Sequence, residues 1–414
     1  IATVGLNAEN TAFSGVISGE TGQFIKAGSG TTVLTGFNTY TGGTTINGGT
    51  LEGNAHSLQG DIVNNANLTL NQFAVGIYNS DISGTGTLTK VNTGVAALTG
   101  SNTYSGETRI QQGTLAFSGS STSSKNSGVN VSNGALLRVS GDNTVRYLRG
   151  DGTTRINGGN LTIGDGNSQS FYGVVEGAGS LTKNGNGTQW LYGTNTYTGG
   201  TTINDGTLIG NANSLQGDIV NNANLTLNQS GTGFYNSDIS GTGTLTKTAT
   251  GVAYLNNTNN SYSGETRIQQ GTLAFNGSST GSENSGVNIS NDAQLFVNGN
   301  NSSKYLSGNG TATINRGNLV ISNGNGQTFS GVIRDGGAGA GSLTKNGSGT
   351  QRLFGTNTYT GGTTINSGTL EGNANSIQGD IVNNANLTLN EFGGGFYNSD
   401  ISGTGTLTKI GTGI

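Results

Sequence analysis

Cysteine, proline and methionine are absent from this 414-residue chain, histidine occurs once, and only 9% of residues are charged. Each absence excludes something. Without cysteine there is no disulfide framework and no Cys/His metal set, although this alone does not fix the compartment. Without proline every backbone N–H stays available to a sheet ladder. A formal net charge of −4 and the lack of any Lys/Arg run exclude a basic nucleic-acid footprint. No apolar stretch approaches bilayer length, so no transmembrane segment is expected. Low charge with 77 glycines resembles the composition of disordered chains, but regularly placed apolar residues argue against disorder.

What is present is repetition. A short stretch ending in lysine recurs as FIK at Lys26 and as LTK at Lys90, Lys183, Lys247, Lys345 and Lys409. The spacing is 64 residues from 26 to 90, 183 to 247 and 345 to 409, and 93 or 98 in the two intervals between. Such self-similarity predicts a solenoid whose units bury their faces against neighbours. A second string, NTYTGGTTINGGTL around Tyr40, returns around Tyr197 and Tyr359, and in variant forms around Tyr104 and Tyr262. It alternates β-branched or apolar residues with small polar ones and is broken by Gly, Asn and Asp, a strand–turn–strand pattern with no helical period.

Laid over one another, the copies separate inside from outside. Leu34, Leu191 and Leu353 share one slot unchanged, whereas Val33, Trp190 and Arg352 share the slot before it and Thr35, Tyr192 and Phe354 the slot after. Strand side chains alternate faces, so the leucines point inward and their flankers to solvent. The same logic puts Ile46, Ile110, Ile203, Ile268 and Ile365 in the core, with Leu51, Leu115, Leu208, Leu273 and Leu370.

Short strands with one apolar face predict an all-β fold, a parallel β-helix with three strands in each coil of roughly 20–25 residues. Residues 1–414 then form one continuous solenoid, with repeats starting near 26, 90, 183, 247, 345 and 409. At ~4.8 Å per coil, 17–20 coils make a single elongated rod roughly 80–95 Å long. The three NNANLTLN copies at Asn64, Asn221 and Asn383 are expected either to stack as amide ladders or to serve as turns. The chain opens at Ile1 without Met and stops inside a repeat, so it reads as a fragment of a longer protein.

The string GAGSLTKNGNGTQWLYGTNTYTGGTTINDGTL, Gly177–Leu208, resembles the passenger-associated transport repeat of bacterial autotransporters. Similar copies run from Gly28, Gly84, Gly241 and Gly341, and a truncated one closes the chain. The resemblance implies a right-handed β-helical passenger on the Gram-negative cell surface or outside it, in a family of adhesins, aggregation factors and toxins. No translocator barrel, linker helix or serine-protease signature accompanies the repeats.

Candidate sites are few. Arg149-Gly150-Asp151 is an integrin-type tripeptide, but Ser307 and Asn309 hold its outer slots in the parallel copy, so a solvated turn is the simpler reading. Trp190, Tyr192, Phe354 and Tyr172 are expected to be exposed and able to stack on sugars, or else to cover neighbouring coils. His56 has Asn213 and Asn375 in its slot, which argues against metal binding or proton transfer. Glu107 with Arg109 and Glu265 with Arg267 read as exposed ion pairs. The GDG at Gly164–Gly166 is similar to part of a calcium-binding nonapeptide. No metal, cofactor or catalytic residue is expected.

The leading functional reading is a non-enzymatic adhesin, aggregation factor or stalk with multivalent lateral contacts to a host receptor, a glycan or sister chains. The alternatives are a self-assembling fibre segment, a pore-forming toxin passenger, and a β-helix polysaccharide enzyme. The last needs clustered Asp/Glu with Arg or Lys on one face, and the acidic residues are spread singly along the sequence.

Overall fold

The computed structural model describes residues 1–5, 7–164 and 168–414, and among these it contains strands and no helix. The chain falls into two compact units. Unit 1 comprises residues 1–208 with 213–217, and unit 2 comprises 209–212 with 218–414. Each is a parallel β-solenoid.

In unit 1, strands from successive coils pair side by side. Thr87–Val91 lies in register between Asn67–Asn71 and Thr108–Ile110, with Leu88 between Leu68 and Thr108, twenty residues away on either side. Three such walls enclose the core. The first begins with Ala2–Val4 and Phe24–Lys26, the second contains Thr87–Val91, and the third runs from Val75–Tyr78 through Val95–Leu98 to Thr114–Ser118. Unit 2 repeats this plan, with Thr244–Thr248 between Asn224–Asn228 and Thr266–Ile268 in its second wall.

Burial alternates along the strands, so the predicted inward set is confirmed: all thirteen residues, from Leu34 to Leu370, are buried. Every part of the repeat has a physical task. Its asparagine bridges coils where the ladder lapses. Asn38 Oδ1 accepts the Ile17 N–H at 2.8 Å, and its amide donates to the Ser57 carbonyl at 2.7 Å. Asn195 and Asn260 bridge in the same way. The tyrosine two residues on is buried, its hydroxyl sharing a hydrogen bond with the threonine four residues later: Tyr40–Thr44 at 2.8 Å, Tyr104–Thr108 at 2.6 Å, Tyr262–Thr266 at 2.9 Å. A buried hydroxyl satisfied in this way avoids the desolvation penalty of a missing partner.

The lysine is also inside. Lys26, Lys90, Lys183, Lys247 and Lys345 are all buried, away from the water that ordinarily hydrates an ammonium. Lys90 Nζ instead donates to the carbonyls of Val91, Asn92 and Gln112 at 2.7, 2.6 and 3.2 Å. Lys247 does the same to Thr248, Ala249 and Gln270, with the Gln229 carbonyl a fourth, more distant acceptor at 3.3 Å. Three acceptors match the three donors of an ammonium and close a corner of the coil. Loss of hydration pulls Lys90, Lys247 and Lys345 down to about 8.

One repeat serves two walls. Lys26 pairs in register with Val4 and Ile46 in the first wall of unit 1, whereas Lys90 pairs with Leu70 and Ile110 in the second. Unit 2 shows the same alternation, Lys247 lying in its second wall and Lys345 in its first. The 64-residue step from Lys26 to Lys90 moves the repeat one wall on, and the 98-residue step from Lys247 to Lys345 carries it from the second wall back to the first.

The first asparagine of each NNANLTLN copy joins no ladder. Asn64, Asn221 and Asn383 are buried, and each donates to a carbonyl of the next coil: Thr87, Thr244 and Thr406, at 2.8–3.0 Å. Too short to reach one another from inside a corner, they act as turn caps. An amide ladder of four successive rungs stands on unit 2. There Asn256, Asn276, Asn298 and Asn315 each donate to the asparagine one coil before, starting from Asn236, at 2.8–3.3 Å.

Candidate functional site

The second wall of unit 1 turns an unusual set of side chains outward. By register Arg109, Asn130 and Arg149 stand in one outer column, and the paired Ser170 and Trp190 stand on the same wall. The column beside it is set by Gly150 pairing with Phe171 and Phe171 with Leu191. Tyr172 N–H donates to the Gly150 carbonyl and Tyr192 N–H to the Phe171 carbonyl. Asp151, Tyr172 and Tyr192 therefore occupy equivalent positions in successive coils. The Tyr172 and Tyr192 rings stack with centroids 4.7 Å apart and planes 6° apart, and Trp190 stacks on Tyr192 at 5.7 Å and 10°. Tyr172 is 61% exposed and Tyr192 41%, whereas Trp190 is half-buried. Burial first, and the neighbouring Tyr172 second, push the Tyr192 hydroxyl pKa up.

Arg149 is not at the tip of a loop. It lies in strand Leu148–Gly150, and Nη2 makes a 2.6 Å ion pair with Glu107 Oε1. Arg109 Nε meets the other oxygen of Glu107 at 2.9 Å, and the Tyr147 hydroxyl donates to Oε1 at 3.1 Å. Tyr147 reaches that far because its ring crosses Gly128, where a Cβ would come within 2.0 Å of the ring. Burial, then the Glu107 charge, raises the Tyr147 pKa. Gly150 turns the corner with φ +102°, and a Cβ there would meet the Val131 carbonyl oxygen at 2.1 Å. Asp151 follows as an exposed carboxylate, its N–H donating to the Val131 carbonyl.

The remaining candidates lie apart from this patch. Phe354 belongs to unit 2, half-buried beside Arg352, whose Nε pairs with Glu371 at 2.9 Å. The expected pairs Arg109–Glu107 and Arg267–Glu265 both form. His56 is exposed and lies 4.7 Å from the Phe37 ring, centre to centre. Asp165 and Gly166 of the GDG lie outside the described residues. No group of three His, Cys, Asp or Glu side chains able to hold a metal occurs among the described residues. No described helix is long and apolar enough to cross a membrane. Sequence reasoning picked Arg149, Asp151, Tyr172, Trp190 and Tyr192 separately and missed that they share one wall. The signal was the spacing 151, 172, 192, close to one coil at each step.

The chain matches the model of the passenger-associated-transport-repeat five times, over residues 24–52, 88–117, 181–209, 245–275 and 343–371. It is 33% identical over 480 residues to the "Adhesin BmaC autotransporter" of Brucella suis biovar 1 (strain 1330), an alignment covering 93% of this chain and 14% of that relative. It is also 43% identical over 72 residues to an "Extracellular serine protease" of Serratia marcescens, covering 17% of this chain and 6% of the protease. No solved structure matches the chain.

Proposed function

We propose, from the premise that this chain is a β-solenoid segment of an extracellular or cell-surface autotransporter passenger built on passenger-associated-transport-repeats, that it works as a non-enzymatic adhesive stalk. The observation that carries this reading is the separation of faces. The inward residues recur copy after copy, while outward neighbours in one slot range from Val33 through Trp190 to Arg352. A rigid frame with a freely varied lateral surface suits many weak contacts along its length, which sum by avidity. The name of the Brucella relative favours adhesion over the other passenger roles. Contact with a host-cell receptor, a glycan or a sister chain is part of the proposal.

An enzymatic role is disfavoured by the state of the groups the fold gathers. Glu107 is brought near Arg149, yet its oxygens are taken by two guanidiniums and a tyrosine hydroxyl, which leaves that carboxylate unsuited to act as acid or base. The match to the serine protease is confined to 72 residues.

Beads coated with the 414-residue chain should attach to epithelial cells, more strongly as coating density rises. Attachment no greater than that of albumin-coated beads at every density would end the adhesive reading.

A further inference from the structure

We infer that Tyr172, Tyr192, Trp190 and Asp151 form a subsite for a neutral hexopyranose chain on the second wall of unit 1, a proposal that rests on the adhesive reading. The scaffold itself does not require these rings. At the same positions of unit 2 stand Ser330, Phe354, Arg352 and Asn309, on a wall paired in the same register. A tyrosine left 61% exposed in an otherwise polar wall gains little by burial, so its value lies in what it can contact.

The geometry selects the chemistry. Rings inclined by only 6° with centroids 4.7 Å apart are offset-stacked, so part of each ring face stays open. The C–H-rich face of a pyranose lies flat on such a surface, as other flat ring systems do. Asp151 stands one coil below Tyr172 in the same column, an exposed acceptor for sugar hydroxyls. The two arginines of this wall are not free for an acidic sugar: Arg109 and Arg149 are both drawn to Glu107 at 2.9 and 2.6 Å. Glu107 and Asp151 balance these two arginines across the patch, and Arg146 is a further cation near Tyr147. Neutral sugars fit it, and carboxylated or sulfated sugars would meet Asp151 as a like charge.

The chain holds one tryptophan, Trp190, so its emission reports on this site alone. The whole chain is titrated with cellohexaose and N-acetylchitohexaose as neutral probes and with heparin as the anionic one. The expected result is a saturable change in emission with a neutral hexasaccharide, weakened about tenfold by Tyr172→Ala and kept by Tyr172→Phe. Both variants change an exposed side chain, and an unaltered thermal midpoint would confirm that the fold survives. The proposal is overturned if neither neutral probe perturbs Trp190, if heparin binds more tightly, or if Tyr172→Ala binds like the parent chain. Bead attachment is measured in parallel. Attachment without a sugar response overturns the subsite and leaves the adhesive stalk standing. A sugar response without attachment supports the subsite and removes the adhesive stalk.

Discussion

Two stretches of the chain repeat one another closely in sequence and end in different surfaces. In unit 1, residues 107–192 carry a Glu107–Arg109–Tyr147–Arg149 cluster and the Tyr172–Tyr192–Trp190 stack. In unit 2 the counterparts keep Glu265, Arg267 and Tyr305, whose hydroxyl reaches Glu265 at 3.2 Å across Gly286. Ser307 replaces the second arginine and accepts from the Asn288 amide at 3.0 Å. Unit 2 has the asparagine ladder, while unit 1 has Thr99, Ser118 and Ser140 along the corresponding strand edge. The buried frames, by contrast, coincide: Ile110 and Ile268, Leu115 and Leu273, Tyr104 and Tyr262, Lys90 and Lys247. The comparison teaches that the inward half of each strand is held by packing, which leaves the outward half free to differ.

The sharpest way to break that comparison is to exchange roles across one peptide bond. Leu191→Asp puts an unpaired carboxylate into the core and should cost about 4 kcal/mol or more, read as a lower unfolding midpoint and new protease cleavage near its coil. Trp190→Arg should cost under ~1 kcal/mol, because the same slot holds Arg352 in unit 2. Equal losses would overturn the inside–outside assignment.

A smaller effect distinguishes the two acidic clusters. Glu107 holds three donors and Glu265 two, so Glu107→Gln should destabilise by about 1 kcal/mol more than Glu265→Gln. Ultraviolet titration adds a second readout: Tyr147 should ionise at lower pH once the Glu107 charge is gone. The ladder gives a contrast of opposite sense. Asn256→Ala breaks two ladder bonds in unit 2 and should cost about 1 kcal/mol, whereas Thr99→Ala in unit 1 should cost about half as much, both by denaturant unfolding.

A last effect is shared by both units. Lys90, Lys247 and Lys345 sit at about 8 when folded against 10.5 in the free side chain, so between those values the unfolded chain binds more protons and stability rises with pH. The buried tyrosines Tyr104 and Tyr262 stand at about 12 against 10.0, so above 10 the unfolded chain loses protons first and stability falls. The unfolding midpoint should climb gently from pH 8 and turn over near 10. A steady decline across that range would show that the lysines gain no relief on losing their protons.

Much of the frame was legible because alternation has a strict period of two. That rule sorted Leu191 from Trp190, and followed through LTK it also puts the lysine inward beside Leu88, since Lys90 is two residues on. Lysine's ordinary preference for water hides that conclusion, and only the three carbonyls at the corner explain why the ammonium stays. The asparagines of NNANLTLN were legible as turn residues, but the choice between a ladder and a cap depends on which side of a corner each amide faces.

By itself, then, the sequence determined the class of fold, the division of every strand into a packed and a free side, and the repeat that builds both units. These follow from local periodicity and from copies that can be compared with one another. Only the tertiary structure decided which outward residues are neighbours. The step between paired residues is 19 from Val129 to Leu148, 21 from Thr108 to Val129 and 24 from Phe329 to Leu353, because corners differ in length. One residue of slip turns a side chain to the opposite face, so small differences in corner length decide whether Asp151, Tyr172 and Tyr192 share a column or scatter.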